Sequence, residues 1–427
     1  MTFTDLNLSK SILQALSEKG YEEPTSIQEQ AIPHILDDRD ILGCAQTGTG
    51  KTAAFSLPII QKVNRYKELH KHHHGILSLI VSPTRELALQ IDESIRSYSK
   101  YTNIKHTVIF GGVNQNQQVR KLQKGIDILT ATPGRLLDLI QQGFVDLSQV
   151  KFFVLDEADR MLDMGFIHDI RKIIDYLPRK RQSLFFSATI PDNIITLSQS
   201  ILTNPVKIEV SPETTTADTV QQYIYYTNKQ TKNDLLLHIL EDDQKDQVLL
   251  FSRTKHGANR IARNLSKKKI RAAAIHGDRS QNQRQQALKD FKQGKVRVLV
   301  ATDIASRGID IDKLRYVINY DIPNESETYV HRIGRSGRAG EEGIAISISE
   351  PEENAFVRDI EKLIQQKIEV VDENPFPQTE KPMTAAERKE WNKEKARRRQ
   401  AFFANRKKGK QNGSKNGQSR RKSKHKR

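Results

Sequence analysis

Residues 45–52 read AQTGTGKT, a run of residue types suited to holding a polyphosphate. Gly48 and Gly50 let the backbone curl until successive N–H groups point at phosphate oxygens. Lys51 can reach the β and γ phosphates, and the Thr52 hydroxyl suits a Mg2+ ion. The usual pattern opens with glycine where this chain has Ala45. The context repairs that: an apolar run precedes the loop and a helix-forming segment follows, adding a favourable dipole end. Ala45, Gln46, Thr47, Gly48, Thr49, Gly50, Lys51 and Thr52 are therefore expected around the phosphates. A second constellation, KFFVLDEAD at 151–159, ends an apolar run in acids. Open α/β sheets bind ligands at the carboxyl ends of their strands. There Asp156 can hold Mg2+, partly through water, and Glu157 can orient or deprotonate an attacking water. The plainer readings are a chance glycine turn and a pair of helix N-cap acids. The presence of both motifs in one chain weighs against each.

Such groups need a frame to hold them. Apolar runs at 40–45, 77–82, 106–110, 127–131, 151–156 and 183–187 do not alternate with polar residues. That is the pattern of parallel strands buried on both faces. Helical patterns such as Arg85–Lys100 and Pro133–Gln142 lie between them. The repetition implies a doubly wound α/β sheet. It then starts again, with strand-like runs at 248–252, 271–276, 296–302, 316–321 and 344–349. Helical segments 232–242, 256–268 and 283–293 fill the gaps, and Ser280 with Gln283 makes a capping box. Ser211–Asp218 (SPETTTAD) is polar, disfavours helix and reads as a linker. The expected organisation is a first domain over 1–210, a linker at 211–218, a second domain over 219–372 and a tail over 373–427.

A chain of 427 residues fits two domains and a tail. Apolar content of 36% with 28% charged residues excludes a wholly disordered chain. No run approaches the roughly 18 apolar residues of a membrane span, and the start, MTFTDLNLSK, lacks a signal-peptide pattern. The single cysteine, Cys44, excludes an intrachain disulfide, and a cytoplasmic location is the simplest expectation. Cys44 reads as a small packed residue rather than a redox sensor. The net charge of +17 is concentrated at one end: Pro375–Arg427 carries 19 Lys and Arg against 4 Glu. Such a tail seeks polyanions, nucleic acid first; the alternative is a solvated tail that only aids solubility. Pro375, Pro377 and Pro382 interrupt regular structure there. Thr384–Asn405 can form a charged helix carrying Trp391, Phe402 and Phe403, which either stack on bases or bind a partner. Residues 407–427 are low-complexity and expected to be disordered. His70, His72, His73 and His74 suggest a metal site, but they stand far from any acid or thiol cluster and read as a solvated loop.

Asp156–Asp159 spells DEAD, and over roughly residues 1–372 the chain resembles the DEAD-box RNA helicases. The supporting motifs come in family order. GYEEPTSIQEQAIP at 20–33, with Phe3 upstream, is similar to the Q motif. PTRELA at 83–88, Gly111–Gly112 and TPGR at 132–135 resemble the RNA-facing motifs of the first domain. SAT at 187–189, RGID at 307–310 and HRIGRSGR at 331–338 resemble the coupling and second-domain motifs. Ser336 stands where Thr is common in the family and Ser26 where Pro is common; both are mild departures. The uninterrupted body and basic tail are most similar to the bacterial RhlE branch.

The resemblance implies two tandem RecA-like domains and RNA-stimulated ATP hydrolysis, with ATP and Mg2+ as cofactors. It implies local unwinding of short RNA duplexes or remodelling of RNA–protein complexes, with single-stranded RNA as a sequence-nonspecific partner. Gln28 would read the adenine edge and Phe3 would stack on the ring; Asp310 would contact the ribose. Lys51, Asp156 and Glu157 would serve catalysis, with Arg335 and Arg338 crossing the cleft as arginine fingers. His331 and Arg332 would support that loop or link it to RNA, and Ser187 and Thr189 would couple the sites. Arg85, Gly112, Thr132, Arg135, Thr254, Thr302, Arg307 and Gly308 would line the RNA backbone. An ATP-gated RNA clamp and a DNA helicase on the same scaffold are the alternatives; the DEAD and Q motifs weigh against the latter.

Overall fold

The computed structural model describes residues 1–46, 48–71, 73–210, 220–241, 246–303, 314–337, 343–382 and 387. Within them lie fourteen strands. The first seven are β1 (Ile41–Ala45), β2 (Ser78–Val81), β3 (His106–Ile109), β4 (Ile128–Ala131), β5 (Phe152–Leu155), β6 (Gln182–Ser187) and β7 (Val206–Val210). They form one sheet in the order β3-β4-β2-β5-β6-β1-β7, parallel at every pairing. The second seven are β8 (Val220–Tyr226), β9 (Val248–Phe251), β10 (Ala272–Ile275), β11 (Val298–Ala301), β12 (Tyr316–Asn319), β13 (Gly343–Ser349) and β14 (Glu369–Val370). Their order is β10-β11-β9-β12-β13-β8-β14, also parallel throughout. Both sheets are doubly wound, with strand order reversing beside the central strands. The two orders superimpose position by position, so the chain is one architecture built twice.

The buried residues explain why these segments become strands. Every residue of β2, β4, β5, β9, β11 and β12 is buried. Helices cover both faces of such strands, so an unbroken run of Val, Ile, Leu and Phe is what the environment selects. Each sheet accordingly has a hydrophobic cluster on either face: around Phe55, Ile80 and Phe186, and around Phe153, Leu155 and Phe185 in the first; around Val248, Leu250 and Val300, and around Leu249, Phe251 and Phe291 in the second.

The strand missed most plainly by sequence is β8, VQQYIYY, whose burial alternates along its first residues. The second domain's expected end at 372 is also corrected. The Phe376 ring packs on the cluster around Val248, and its carbonyl accepts the Thr227 hydroxyl at 2.7 Å. Gln378 N–H donates to the Tyr226 carbonyl, and Thr379 and Glu380 N–H donate to the Asn228 side chain. The packed body therefore continues through Glu380. The expected linker at 211–218, the charged helix at 384–405 apart from Glu387, and Trp391, Phe402 and Phe403 lie outside the described residues.

Candidate active site and nucleic-acid interface

The loop after β1 leads into the helix Lys51–Leu69, with Gly50 at φ +94° as its N-cap. Only a residue without a side chain fits there. A Cβ on Gly50 would lie 2.3 Å from Gln28 Nε2 and 2.8 Å from Thr25 Oγ1. Gln28 and Thr25 belong to the helix Ser26–Leu36 and its N-cap. Gln28 Nε2 donates to the Gly50 carbonyl at 3.1 Å, its Oε1 accepts the Thr25 N–H at 3.0 Å, and Thr25 Oγ1 donates to the Thr49 carbonyl at 2.8 Å. The expected adenine reader is thus tied directly to the loop. Phe3, expected on the adenine ring, is only 4% exposed in the first-domain core and stacks on Tyr21 at 6.3 Å between ring centroids. The exposed aromatic beside it is Tyr21, a residue sequence reading passed over.

Lys51 is buried, and its ammonium donates to the Ala45 carbonyl at 2.5 Å and the Gln46 carbonyl at 3.0 Å. Burial holds its pKa below the ordinary lysine value, while Asp156 and Glu157 pull it back up. The acids sit at the carboxyl end of β5. Burial pushes the Asp156 carboxyl up to about 7, opposed by Lys51 and aided by its neighbour Glu157. Asp156 Oδ1 is buried and has no hydrogen-bond partner. An orphaned carboxylate oxygen costs free energy unless something binds it. A hard cation supplies what is missing, so the residues present fit Mg2+.

Glu157 adopts left-handed φ +56°, unusual for a non-glycine residue, and caps the helix Ala158–Asp163. The twist turns its carboxylate away from Asp156 and onto Arg160, whose Nη1 lies 2.7 Å from both oxygens. Asp159 links the acids to β6. Its Oδ2 accepts the Ala188 and Thr189 N–H groups, each at 3.2 Å, and the Thr189 hydroxyl at 3.3 Å; its own N–H donates to Ser187 Oγ. Ser187 and Thr189, expected to couple the sites, are therefore bound to the DEAD turn. Sequence reading assigned no role to Asp159 or Arg160, although both lie in or beside the motif it recognised.

The second sheet brings its own cations to this place. Arg335 follows the helix Ser326–Ile333, is 7% exposed, and shares a small cavity with Arg160, Asp303, Thr328 and His331. Arg332 is fully buried and pairs with both Asp303 oxygens at 2.6 and 2.9 Å and with the Asp321 carbonyl at 2.6 Å. These bonds tie the helix that precedes Arg335 to Asp303 and to the end of β12. Thr47, Arg307, Gly308, Asp310 and Arg338 lie outside the described residues.

The RNA-facing candidates cluster at strand carboxyl ends. Gly112, at φ +78°, lies under Arg85: a Cβ there would meet its Nη1 at 2.2 Å. Arg135 donates to the Val113 carbonyl at 3.3 Å, and Thr132 caps the helix Pro133–Gln141. Thr254 caps the helix Lys255–Lys267 and accepts the Gly257 N–H, while Thr302 directly follows β11. A bridge joins the two sheets here. Arg85 Nη1 donates to Gln281 Oε1 at 3.3 Å, Gln281 Nε2 donates to Glu86 Oε1 at 3.0 Å, and Arg284 pairs with Glu86 at 3.0 Å. Glu86 and Gln281 are buried. Neither Glu86, Gln281 nor Arg284 was singled out by sequence, because a cross-domain partner leaves no local pattern.

Two features set aside in the sequence acquire a place. His70 stacks on Tyr66 at 4.0 Å and His73 meets its edge at 5.3 Å, while His70 and His74 stay exposed, so the stretch is an exposed loop whose rings rest on Tyr66; His72 lies outside the described residues. Cys44 is half-buried, its thiol faces the Ala188 carbonyl at 3.6 Å, and burial pushes its pKa up, away from reactivity.

Comparison with known proteins identifies the family. The DEAD/DEAH box helicase model matches residues 25–197, and the helicase conserved C-terminal domain matches 231–340. The DEAD-box ATP-dependent RNA helicase CshA of Bacillus cereus is 42% identical over 371 residues, covering 87% of this chain and 70% of the relative. The chain belongs to the DEAD-box ATP-dependent RNA helicases. RhpA of Helicobacter pylori is 41% identical, covering 86% of this chain and 74% of its own. The solved structure of S. cerevisiae Dbp5 bound to RNA and ADP BeF3 matches with a TM-score of 0.78 at 31% identity, covering 87% of this chain and 95% of that one. The DEAD-box protein is thus an ATP hydrolase acting on RNA, with two RecA-like domains. Among the described residues no helix is long and apolar enough to cross a membrane.

Proposed function

We propose that ATP hydrolysis in this helicase switches on when the two sheets meet, because each holds part of the pocket. The observation that carries this is Arg335, buried in one cavity with Arg160, the residue that holds Glu157. In the first domain, Lys51 and the 45–52 backbone bind the phosphates and Gln28 reads the adenine edge, with Tyr21 rather than Phe3 as the available ring. Asp156 and Thr52 would hold Mg2+, which supplies charge neutralisation on the phosphates when bound. Glu157 takes the proton of the attacking water once Arg160 releases it, or orients that water while held. Arg335 and Arg338 neutralise the charge that develops on the γ-phosphoryl group. A finger of this kind is worth roughly 10³–10⁵ in rate. Asp310 is assigned to the ribose.

RNA runs over the strand carboxyl ends, contacting Arg85, Gly112, Thr132 and Arg135 from one domain and Thr254, Thr302, Arg307 and Gly308 from the other. Contacts to phosphates and 2′-hydroxyls carry no sequence information. A strand gripped by both domains favours closure, so RNA and ATP bind cooperatively. Asp159 supports this coupling, since it ties the metal-side turn to Ser187–Thr189. The basic tail adds non-specific RNA affinity. Since its substrate is RNA and its one cysteine needs no oxidising compartment, we place the protein in the cytoplasm. The uninterrupted body and basic tail still favour an RhlE-type protein, although the CshA and RhpA relatives do not single that branch out.

Unwinding and clamping use the same residues, so a paired assay separates them: release of a short RNA duplex beside the off-rate of a single strand. ATP-dependent duplex release with rapid strand turnover supports the helicase reading. Slow strand release without duplex separation supports the clamp. ATPase stimulation by single-stranded DNA equal to that by RNA would overturn the RNA preference.

A further inference from the structure

The open edge of the second sheet is built differently from the same edge of the first. In both, the outermost strand lies between two helices: β3 between Arg85–Tyr98 and Gln115–Gln123, β10 between Lys255–Lys267 and Gln281–Lys292. The first edge is closed at its carboxyl end. The Gln118 amide pairs with both the N–H and the C=O of Phe110, at 3.0 and 3.1 Å, and His106 binds Asp92 at 2.7 Å. Val108, Phe110 and Ala88 pack together over it.

The second edge is a groove of about 460 Å³. Its walls are single helix faces at i, i+3, i+4, i+7 spacing: Asn259, Ala262, Arg263 and Ser266 on one side, Gln283, Gln286, Ala287 and Asp290 on the other. Its floor is Ala272, Ala273 and Ala274 of β10. Small side chains leave the strand's main chain within reach. The carbonyls of Arg271 and Ile275 accept bonds from β11, so the alternating residues Ala272 and Ala274 turn their N–H and C=O toward the groove. An edge strand left this way is a template for another extended chain.

The charge of the groove selects the chain. Two arginines line it. Arg263 has no carboxylate partner among the described residues. Among the described residues the Arg279 side chain bonds through Nη2 to Asn259, at 3.0 Å, while its buried Nε has no partner. The acid on the walls, Asp290, is already bound by Gln286 at 2.8 Å. We propose that the β10 edge is a docking site for an extended peptide segment of a partner protein, which adds a strand to the sheet and sets carboxylates against Arg263 and Arg279. Main-chain pairing favours a peptide over RNA, which has no regular N–H and C=O ladder to match. The groove lies at the outer edge of the second sheet and uses none of the catalytic or RNA-facing residues, so docking and catalysis can be measured separately.

The test uses the full chain and a fluorescein-labelled peptide of alternating valine and glutamate, with a valine–lysine peptide as control. Anisotropy reads binding, and amide hydrogen exchange reads its location. We expect the glutamate peptide to bind, the lysine peptide not to, and exchange to slow at Ala272 and Ala274. Arg263→Glu should weaken binding by about tenfold or more, and Ala287→Leu should block the groove sterically. Unchanged RNA-stimulated ATPase in both variants shows that they fold. No binding, equal binding of the two peptides, insensitivity to Arg263→Glu, or protection elsewhere would each overturn the proposal. So would an oligouridylate that protects Ala272 and Ala274 in the peptide's place.

Discussion

The Asp156 carboxyl ionises at about 7 in the nucleotide-free protein, not at its ordinary 3.8, because burial penalises its charged form more than Lys51 relieves it. The consequence is a conflict between stability and function that can be measured. The folded-state pKa is raised above the unfolded one, so ionisation favours the unfolded chain. The cost is absent below the unfolded value, grows as pH rises between the two, and is complete above about 7. At about 1.4 kcal/mol per decade of proton affinity, the full cost is about 4 kcal/mol, and at pH about 5 it is about 2. Asp156→Asn removes the ionisation while nearly keeping the shape. In the absence of nucleotide and metal, the variant's first domain should unfold at a higher temperature than the parent's at pH about 8. At roughly 2–4 °C per kcal/mol for a domain of this size, the gain should exceed the gain at pH about 5 by roughly 5–10 °C. Thermal unfolding followed by circular dichroism at both pH values is the assay. The same variant should lose Mg2+-dependent nucleotide stabilisation and ATPase activity. A variant less stable than the parent at high pH, or one whose gain is the same at both pH values, would refute the burial argument.

Further expectations follow from named contacts. Glu157→Gln should retain ATP and RNA binding but lose about 10²–10⁴ in turnover, trapping both ligands in a filter-binding assay; normal hydrolysis would remove Glu157 from its role. Glu86→Ala leaves Gln281 and Arg284 facing a lost partner in the closed state, at a cost of about 1–3 kcal/mol. RNA-stimulated ATPase should fall accordingly with RNA-free nucleotide affinity unchanged, and Arg284→Ala should add little to it in a double-mutant cycle. Removing residues 388–427, beyond the packed Phe376–Glu380 segment, should weaken RNA affinity and flatten its salt dependence while sparing nucleotide binding; an unchanged salt slope would make the tail a mere solubility device.

Much of this architecture was legible in the sequence, for a physical reason. Central parallel strands such as β2, β5 and β9 are buried on both faces, and an unbroken apolar run can hardly be anything else. The strands that escaped were those with an open face. β7 (VKIEV) and β8 (VQQYIYY) mix polar residues into the run, and β14 has two residues. The phosphate loop and the acids were readable because their chemistry needs particular residues at fixed spacing. What sequence could not supply was orientation. It expected Phe3 on the adenine but could not show that the ring is buried beside Tyr21. It named Arg85 and Gly112 but not their contact, and it missed Gln281, since these meet only in the fold. It took the prolines after 372 as the end of order, yet Asn374 and Phe376 are fixed by Tyr226, Thr227 and the core behind them.

The central claim is that chemistry waits for a cation delivered by the opposite domain. Single-turnover hydrolysis at saturating ATP and RNA, compared between the parent protein and Arg335→Ala, tests it most directly. The account predicts a rate lower by roughly 10³–10⁵ with ATP affinity within a few-fold of the parent's. Hydrolysis close to the parent rate, or a loss explained entirely by weaker ATP binding, would contradict it.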